Sequence, residues 1–307
     1  MNPLDRAPRR VRVVEVGPRD GLQNESAVVS VDVRVQFIMG LAAAGCPVIE
    51  AGAFVRPDRI PQMANTEEVF RCLQGVEGSV FTALVPNRQG MERALRAGAR
   101  EVAVFTAASE AFARHNINMG IEESLAAFRE VMALAASAGC RVRGYVSTSW
   151  WCPYSGRVAP ERVRSVARAL VEMGCYEVAI SDTIGAATPA EVISLLEDLS
   201  RDLPAGAIAV HFHDTRGTAL ANVLAALACG VSTVDAAAGG LGGCPYAPRA
   251  SGNLATEDLL YMLHGMGIAT GIDLEAVAAA SRALAGPLGH PLPSRYLEAG
   301  RLPPRGS

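Results

Sequence analysis

Two histidines separated by one residue are the strongest chemical signal in this sequence of 307 residues. His211 and His213 lie in the run VHFHD, and because side chains alternate along a β-strand, both imidazoles would project from the same face. Asp20, in the run GPRDG, and Asn253, in the run SGN, each follow another predicted strand and offer a carboxylate and an amide oxygen. Such a set suits a divalent cation with positions left open for a substrate. The pair of histidines alone would more often be an ordinary strand end, and it is Asp20 that favours the metal interpretation.

Three charged residues accompany this candidate metal site at the ends of predicted strands. Glu50 ends the run VIE and Asp182 lies in the run SDT, so either carboxylate could accept a proton, orient a ligand or simply form a salt bridge. Arg19 could stabilise a negatively charged oxygen, or it could pair with Glu50 or Asp182. The sequence leaves these alternatives open.

A glycine-rich segment carries a candidate catalytic thiol. The run GGLGGCPYA, residues 239–247, places four glycines before Cys244, a composition typical of a mobile loop that closes over a site. A catalytic Cys244 and a turn that serves only backbone geometry are equally compatible with this pattern. Cys152, in the run WCPY, lacks the flanking glycines and ranks below Cys244.

The elements that must position these residues alternate between short β-branched runs and longer helical stretches. This alternation is typical of parallel βα units. Eight strands are predicted, over residues 11–17, 48–54, 80–85, 101–106, 141–147, 177–182, 207–214 and 233–238. The predicted helices include residues 31–44, 121–138, 160–173, 189–199 and 218–229.

These units predict an α/β protein whose residues 11–270 form a (β/α)8 TIM barrel. Residues 271–307 are predicted to be a short C-terminal helical extension packed on the barrel. A doubly wound sheet fits less well, because no glycine-rich dinucleotide turn follows the first strand and polar residues gather at the ends of many strands. Active sites of (β/α)8 barrels are assembled at those strand ends.

Composition limits the classes of partner. Half of the residues are hydrophobic and only 19% are charged, which suits an α/β chain with a large buried core. The net charge of −3 comes without a long run of one sign, so we expect no nucleic-acid partner. The seven cysteines are scattered, which argues against a disulfide framework, and no stretch approaches the ~20 apolar residues of a membrane span. We therefore expect a cytoplasmic protein with no membrane partner.

Three longer runs carry a resemblance to a known family. They are VEVGPRDGLQNE at residues 14–25, HFHDTRG at 211–217 and GGLGGCPYAPRASGNLATEDL at 239–259. Together they resemble hydroxymethylglutaryl-CoA (HMG-CoA) lyase, and shorter matching runs extend the similarity over nearly the whole chain. The resemblance implies a TIM-barrel lyase that uses Mg²⁺ or Mn²⁺ to cleave HMG-CoA into acetyl-CoA and acetoacetate.

The resemblance also implies three groups of site residues. The divalent cation would be bound by Asp20, His211, His213 and Asn253. The catalytic residues would be Arg19, which stabilises an enolate, the thiol Cys244, and the acidic residues Glu50 and Asp182. The substrate would be contacted by Asn116, Arg143 and Tyr145. We expect a small-molecule acyl-CoA substrate and a homo-oligomer of two or more subunits.

The chain departs from the family pattern at two strand ends. Residues 51–53 are Ala-Gly-Ala where these lyases typically carry hydroxyl side chains, so hydrogen bonds could be missing there. Trp150 and Trp151 stand where small residues are usual, and their bulk could reshape the acyl pocket or could pack under a loop. These departures suggest a lyase for a related thioester, such as a longer branched 3-hydroxyglutaryl-CoA or citramalyl-CoA, as an alternative function. Two further alternatives are a Claisen-type synthase and a barrel that only binds a metabolite or partner.

Overall fold

The structure, a computed structural model, describes residues 7–242 and 252–300. Its strands are β1 (Arg12–Glu15), β2 (Val48–Ala53), β3 (Val80–Leu84), β4 (Glu101–Ala107), β5 (Arg141–Ser147), β6 (Trp151–Cys152), β7 (Gly156–Arg157), β8 (Glu177–Asp182), β9 (Ile208–Phe212) and β10 (Thr233–Ala236). Its α-helices are α1 (Val31–Ala43), α2 (Thr66–Cys72), α3 (Arg88–Arg96), α4 (Glu110–Ile117), α5 (Ile121–Ala138), α6 (Pro160–Glu172), α7 (Pro189–Leu199), α8 (Ala219–Ala228), α9 (Thr256–Gly265), α10 (Leu274–Leu288) and α11 (Arg295–Ala299).

Eight parallel strands close into a barrel. Their order around the barrel is β1, β10, β9, β8, β5, β4, β3, β2, and β2 pairs with β1 to complete the ring. The predicted (β/α)8 TIM barrel is therefore confirmed, and each predicted strand overlaps one of its strands. The remaining strands, β6 and β7, form a two-stranded antiparallel hairpin after β5 that the sequence analysis did not predict.

Helix starts follow the local sequence signals. The hydroxyl of Ser30 accepts a hydrogen bond from Val33 N at the start of α1, and the side chain of Asn87 accepts one from Gly90 N at the start of α3. Helix α6 begins at Pro160, a residue that fits a first helical turn because the missing N–H has no partner there. These caps end the loops that leave the carboxyl ends of the strands, where the candidate site residues lie.

A π-helical turn, Gly17–Gly21, leaves β1 and carries both Arg19 and Asp20. It packs against a short 3-10 turn after β10, Ala238–Gly240. The approach is close, because a Cβ atom on Gly21 would lie 2.7 Å from Cβ of Leu241. Glycine at residue 21 therefore lets the two chain segments that flank the candidate metal site meet.

The C-terminal helices pack on the barrel's outer layer. Helix α10 contacts α1, and α11 contacts α9. The division of the chain into a barrel at 11–270 and an extension at 271–307 stays a prediction. None of the helices in the described ranges is long and apolar enough to cross a membrane.

Candidate active site

The structure brings the candidate metal ligands together at the carboxyl end of the barrel. Asp20 lies in the turn after β1, His211 lies in β9, and His213 follows β9 directly. One ligand atom from each of these residues lies within 4.8 Å of the others. Asn253 joins them because its backbone forms an antiparallel bridge with His213. Residues that are far apart in the sequence thus converge on one point.

Hydrogen bonds from two sides hold the Asp20 carboxylate. Nη1 of Arg19 donates to Oδ1 at 2.5 Å, and Nδ2 of Asn253 donates to Oδ2 at 2.9 Å. Burial alone would raise the pKa of this carboxyl, but Arg19 and the two histidines lower it well below its usual range. Asp20 is therefore ionised and available to a cation.

Two buried side-chain atoms around this point have no hydrogen-bond partner in the described part of the chain. They are Nδ1 of His213 and Oδ1 of Asn253. Burial, together with the neighbouring His211, lowers the pKa of His213 to about 4, so its ring is neutral at neutral pH. Since buried polar atoms are almost always satisfied, an unpaired imidazole nitrogen and an unpaired amide oxygen beside an ionised carboxylate indicate a site for a positive ion. These residues fit a divalent cation.

Asp235, a residue that the sequence analysis missed, orients His211. Its Oδ2 lies 3.2 Å from Nδ1 of His211, whose Nε2 lies on the Asp20 side of the ring, 3.9 Å from Oδ2 of Asp20. Donation from Nδ1 to Asp235 leaves the lone pair of Nε2 for a cation, the arrangement in which an outer carboxylate orients a metal-binding histidine. Only the strand register could have revealed this role, because Asp235 of β10 is the cross-strand partner of His211.

Arg19 is buried between two carboxylates at the edge of the cavity. Besides Asp20, it contacts Glu50, with Nε donating to Oε2 at 2.5 Å. Burial would lower the pKa of the guanidinium, but Glu50 and Asp20 raise it, so Arg19 stays charged. Of the alternatives that the sequence left open, pairing with Glu50 is observed, while Arg19 also lines the cavity, where it can face a negatively charged group.

Glu50 and Asp182 are buried behind the cavity and neither lines it. Oε1 of Glu50 has no hydrogen-bond partner among the described residues, and burial raises the pKa of Glu50 against the opposing effect of Arg19. The Asp182 carboxylate accepts hydrogen bonds from the backbone N–H groups of Ala186 at 3.0 Å and Ala187 at 2.9 Å, so it fixes the loop after β8. A catalytic role for either carboxylate stays a prediction.

The three predicted substrate contacts occupy two different depths. Asn116 and Tyr145 line the cavity, whereas Arg143 lies beneath it with both ends of its guanidinium in use. Arg143 donates to Glu177 at 2.8 Å, to Asp235 at 2.7 and 3.1 Å, and to the hydroxyl of Tyr145 at 2.7 Å. Arg143 can therefore influence a substrate through Tyr145 and Asp235, and direct contact with the substrate stays a prediction.

The cysteines and tryptophans that the sequence analysis considered differ in where they lie. Cys244 lies outside the described residues. Cys152 is buried and within 3.0 Å of the Ser109 hydroxyl. Trp150 packs against Phe212, and its indole N–H donates to the Glu191 carbonyl on the outer side of the barrel. Neither tryptophan lines the cavity beside the metal ligands, so the structure does not place their bulk in the acyl pocket.

The cavity itself has a volume of about 200 Å³ and two unlike sides. One side presents the candidate metal ligands Asp20, His211 and His213. The other side is apolar, and it is formed by Val55, Ile60, Leu84, Phe105 and Phe112. A ligand with an oxygen-rich end and an apolar portion matches this division.

A closed barrel of eight parallel strands with a carboxylate and two histidines at its carboxyl end defines a metal-dependent (β/α)8 enzyme. The chain belongs to the HMGL-like family, whose model matches residues 10–284.

Individual relatives agree with this assignment. The chain is 61% identical to hydroxymethylglutaryl-CoA lyase of Pseudomonas mevalonii over 268 residues, which are 87% of this chain and 89% of the relative. The crystal structure of the Bacillus subtilis HMG-CoA lyase superposes with a TM-score of 0.94 at 45% identity, covering 95% of this chain and 98% of that one. An HMG-CoA lyase from Acinetobacter baumannii, solved with coenzyme A and 3-methylmalate, superposes with a TM-score of 0.92 at 37% identity, covering 97% and 98%.

Proposed function

We propose that this protein is a lyase that cleaves HMG-CoA into acetyl-CoA and acetoacetate. One observation carries the proposal: Asp20, His211 and His213 converge beside Arg19 in a cavity at the strand ends of a chain 61% identical to an HMG-CoA lyase. The acyl-CoA class of the substrate is also supported by the related structure that holds coenzyme A.

The residues that would hold the cation are Asp20, His211, His213 and Asn253. One carboxylate, two imidazoles and one amide oxygen leave coordination positions for a substrate, and we propose Mg²⁺ or Mn²⁺ as the ion. Such an ion acts as a Lewis acid that lowers the pKa of a hydroxyl group beside it.

The cleavage needs a base and an acid on the protein. A base removes the proton of the C3 hydroxyl, the oxygen lone pair forms a ketone, the C2–C3 bond breaks, and its electron pair passes to a thioester enolate. Of the three carboxylates considered, Asp20 lines the cavity, whereas Glu50 and Asp182 are buried behind it. Asp20 is therefore the carboxylate within reach of the substrate, which is the first requirement of a general base, but its lowered pKa makes it a weak base. The choice among the three carboxylates stays a prediction.

Arg19 would stabilise the enolate, because it is a charged group fixed at the cavity wall before the reaction starts. The enolate carbon then takes a proton to become the methyl group of acetyl-CoA. The sequence predicts Cys244 as the donor of that proton. The proton lost from the hydroxyl and the proton gained at C2 balance, so the reaction needs no further reactant.

A coupled assay of acetyl-CoA release tests the proposal. The purified protein is stripped of metal with a chelator and offered HMG-CoA, a longer branched 3-hydroxyglutaryl-CoA and citramalyl-CoA, with and without Mg²⁺ or Mn²⁺. We expect metal-dependent release from HMG-CoA at the highest kcat/KM, together with one acetoacetate for each acetyl-CoA. Faster cleavage of another thioester, or cleavage that survives metal removal, would overturn the proposal. The predicted homo-oligomer can be checked on the same protein by light scattering after gel filtration.

A further inference from the structure

A row of inward-facing polar residues crosses three neighbouring strands beside the metal site. Ser181 of β8 is paired with His211 of β9. Val146 of β5 is paired with Ile180 of β8, so the next residues along these parallel strands, Ser147 and Ser181, lie side by side. Both serines line the same cavity as His211. Because neighbouring strands are about 4.8 Å apart, the two hydroxyl groups lie one and two strands away from the metal ligand.

The two hydroxyl groups have unused hydrogen-bonding capacity. The Ser147 hydroxyl has no hydrogen-bond partner in the ranges that the structure describes, and the Ser181 hydroxyl makes only a 3.5 Å contact with the Ala179 carbonyl. A hydrogen bond of that length is at the limit of what counts as one. Two free donors on adjacent strands can bind the two oxygens of one carboxylate.

The backbone after Ser147 is held in an unusual conformation. Thr148 has φ +55, in the left-handed region that β-branched residues rarely adopt. Its N–H donates to the Thr183 hydroxyl at 2.8 Å, which ties the end of β5 to the loop after β8. Ser147 and Ser181, at the ends of these two strands, are therefore held beside each other.

The rest of the cavity wall offers fewer free donors to the single free carboxylate of the substrate. Its other uncharged polar side chains include the amides of Gln23, Asn24 and Asn116 and the hydroxyl of Thr183, and Asn24 and Thr183 already form hydrogen bonds within the protein. The side formed by Leu84, Phe105 and Phe112 is apolar. Arg19, on the side of β1 and β2, already uses Nε and Nη1 on Glu50 and Asp20. In the proposed reaction Arg19 faces the thioester end of the acyl group, so the opposite end of that group extends from the metal towards β8 and β5.

We propose that Ser147 and Ser181 bind the terminal carboxylate of the acyl group and thereby select thioesters of dicarboxylic acids. This inference rests on the proposed function, because the C3 hydroxyl of HMG-CoA at the metal places the carboxylate two bonds further along the chain. A 3-hydroxyacyl-CoA without a terminal carboxylate would leave both serines unpaired. A site built to hydrogen-bond a substrate group discriminates strongly against an analogue that lacks it.

Inhibition by two non-cleavable thioesters tests the proposal. Glutaryl-CoA and valeryl-CoA differ only in carrying a carboxylate or a methyl group at C5. The wild-type protein should bind glutaryl-CoA more tightly, and this preference should fall by roughly 10-fold for each hydroxyl removed in S147A, S181A and the double variant, as expected for hydrogen bonds to a charged group. The double variant should also raise KM for HMG-CoA more than it lowers kcat.

Ser149→Ala is the matched control. Ser149 lies at the same strand end, but its hydroxyl donates to the Val146 carbonyl at 2.8 Å and the residue does not line this cavity. The S149A variant should keep the wild-type ratio of the two inhibition constants even if it unfolds at a lower temperature. A change in S149A as large as in the double variant would overturn the proposal, since it would reflect a general disturbance of β5.

Two further results would also overturn it. One is an unchanged ratio of the two inhibition constants in the folded double variant. The other is loss of the preference for glutaryl-CoA in Asn116→Ala while the serine variants keep it, because this would show that the Asn116 amide binds the carboxylate. Failure of the proposed function is distinguishable from both. In that case the wild-type protein would not release acetyl-CoA from HMG-CoA, whatever the two inhibition constants show.

Discussion

Replacement of Asp235 by asparagine should weaken metal binding although Asp235 does not itself reach the proposed cation. The Asp235 carboxylate lies 3.2 Å from Nδ1 of His211 and 2.7 Å from Nη2 of Arg143. The amide in D235N would keep the size of the side chain but would have one oxygen for three N–H donors, which are Nδ1 of His211 and Nη1 and Nη2 of Arg143. His211 would then lose the partner that fixes its ring and its tautomer.

The expected magnitude follows from these contacts. Loss of a carboxylate that orients a metal-binding histidine typically weakens metal affinity by about 10- to 100-fold, or about 1.4 to 2.8 kcal/mol. The same change removes a charge that is paired with the buried Arg143, a loss that costs about 3 to 5 kcal/mol of folding stability. The metal effect must therefore be separated from the stability effect.

Glu177→Gln separates the effect on metal binding from the effect on stability. Glu177 is the other carboxylate of Arg143, at 2.8 Å, and it also pairs with Arg12, but it has no contact with His211. Both variants should unfold at lower urea concentration than the wild type. Only D235N should bind Mn²⁺ more weakly when free ion is counted by electron paramagnetic resonance on folded protein. Equal Mn²⁺ affinity of D235N and wild type, or an equal loss in E177Q, would refute the reasoning.

Four other outcomes are expected. His211→Ala should copurify with less metal, as measured by elemental analysis, and unchanged stoichiometry would remove His211 from the ligand set. Arg19→Gln should lower kcat by about 10²- to 10³-fold, the usual effect of removing one group that stabilises an oxyanion, while a rise in KM alone would assign Arg19 to substrate binding. Cys244→Ala should retain fold and metal but lose about 10²- to 10⁴-fold in turnover, and near-normal turnover would exclude Cys244 as the acid. Burial raises the pKa of Glu15 from 4.5 to about 7. Between these two pH values the folded protein keeps the proton of Glu15, whereas the unfolded chain loses it. The unfolding free energy of the wild type should therefore fall between pH 4.5 and 7 relative to E15Q, by at most about 3 kcal/mol, and parallel urea-derived curves would contradict this.

The sequence by itself determined the barrel and which three residues meet at its candidate metal site. Strand positions follow from runs of β-branched residues and helix positions from their spacing and caps, and these signals are local. The ends of eight parallel strands must meet at one end of a closed barrel, so residues after β1 and in β9 could be predicted to converge. Asp20, His211 and His213 meet as this reasoning required.

Only the tertiary structure decided which polar residues lie behind that site and which face the cavity. Asp235 and Ser181 become neighbours of His211 through cross-strand register, Arg143 is drawn beneath the cavity by Glu177 and Asp235, and Trp150 packs outside the barrel. Register and depth depend on how strands tilt and shift against one another in the closed barrel. A local sequence pattern shows which side chains of a strand share a face, but not which residue of a neighbouring strand each of them meets.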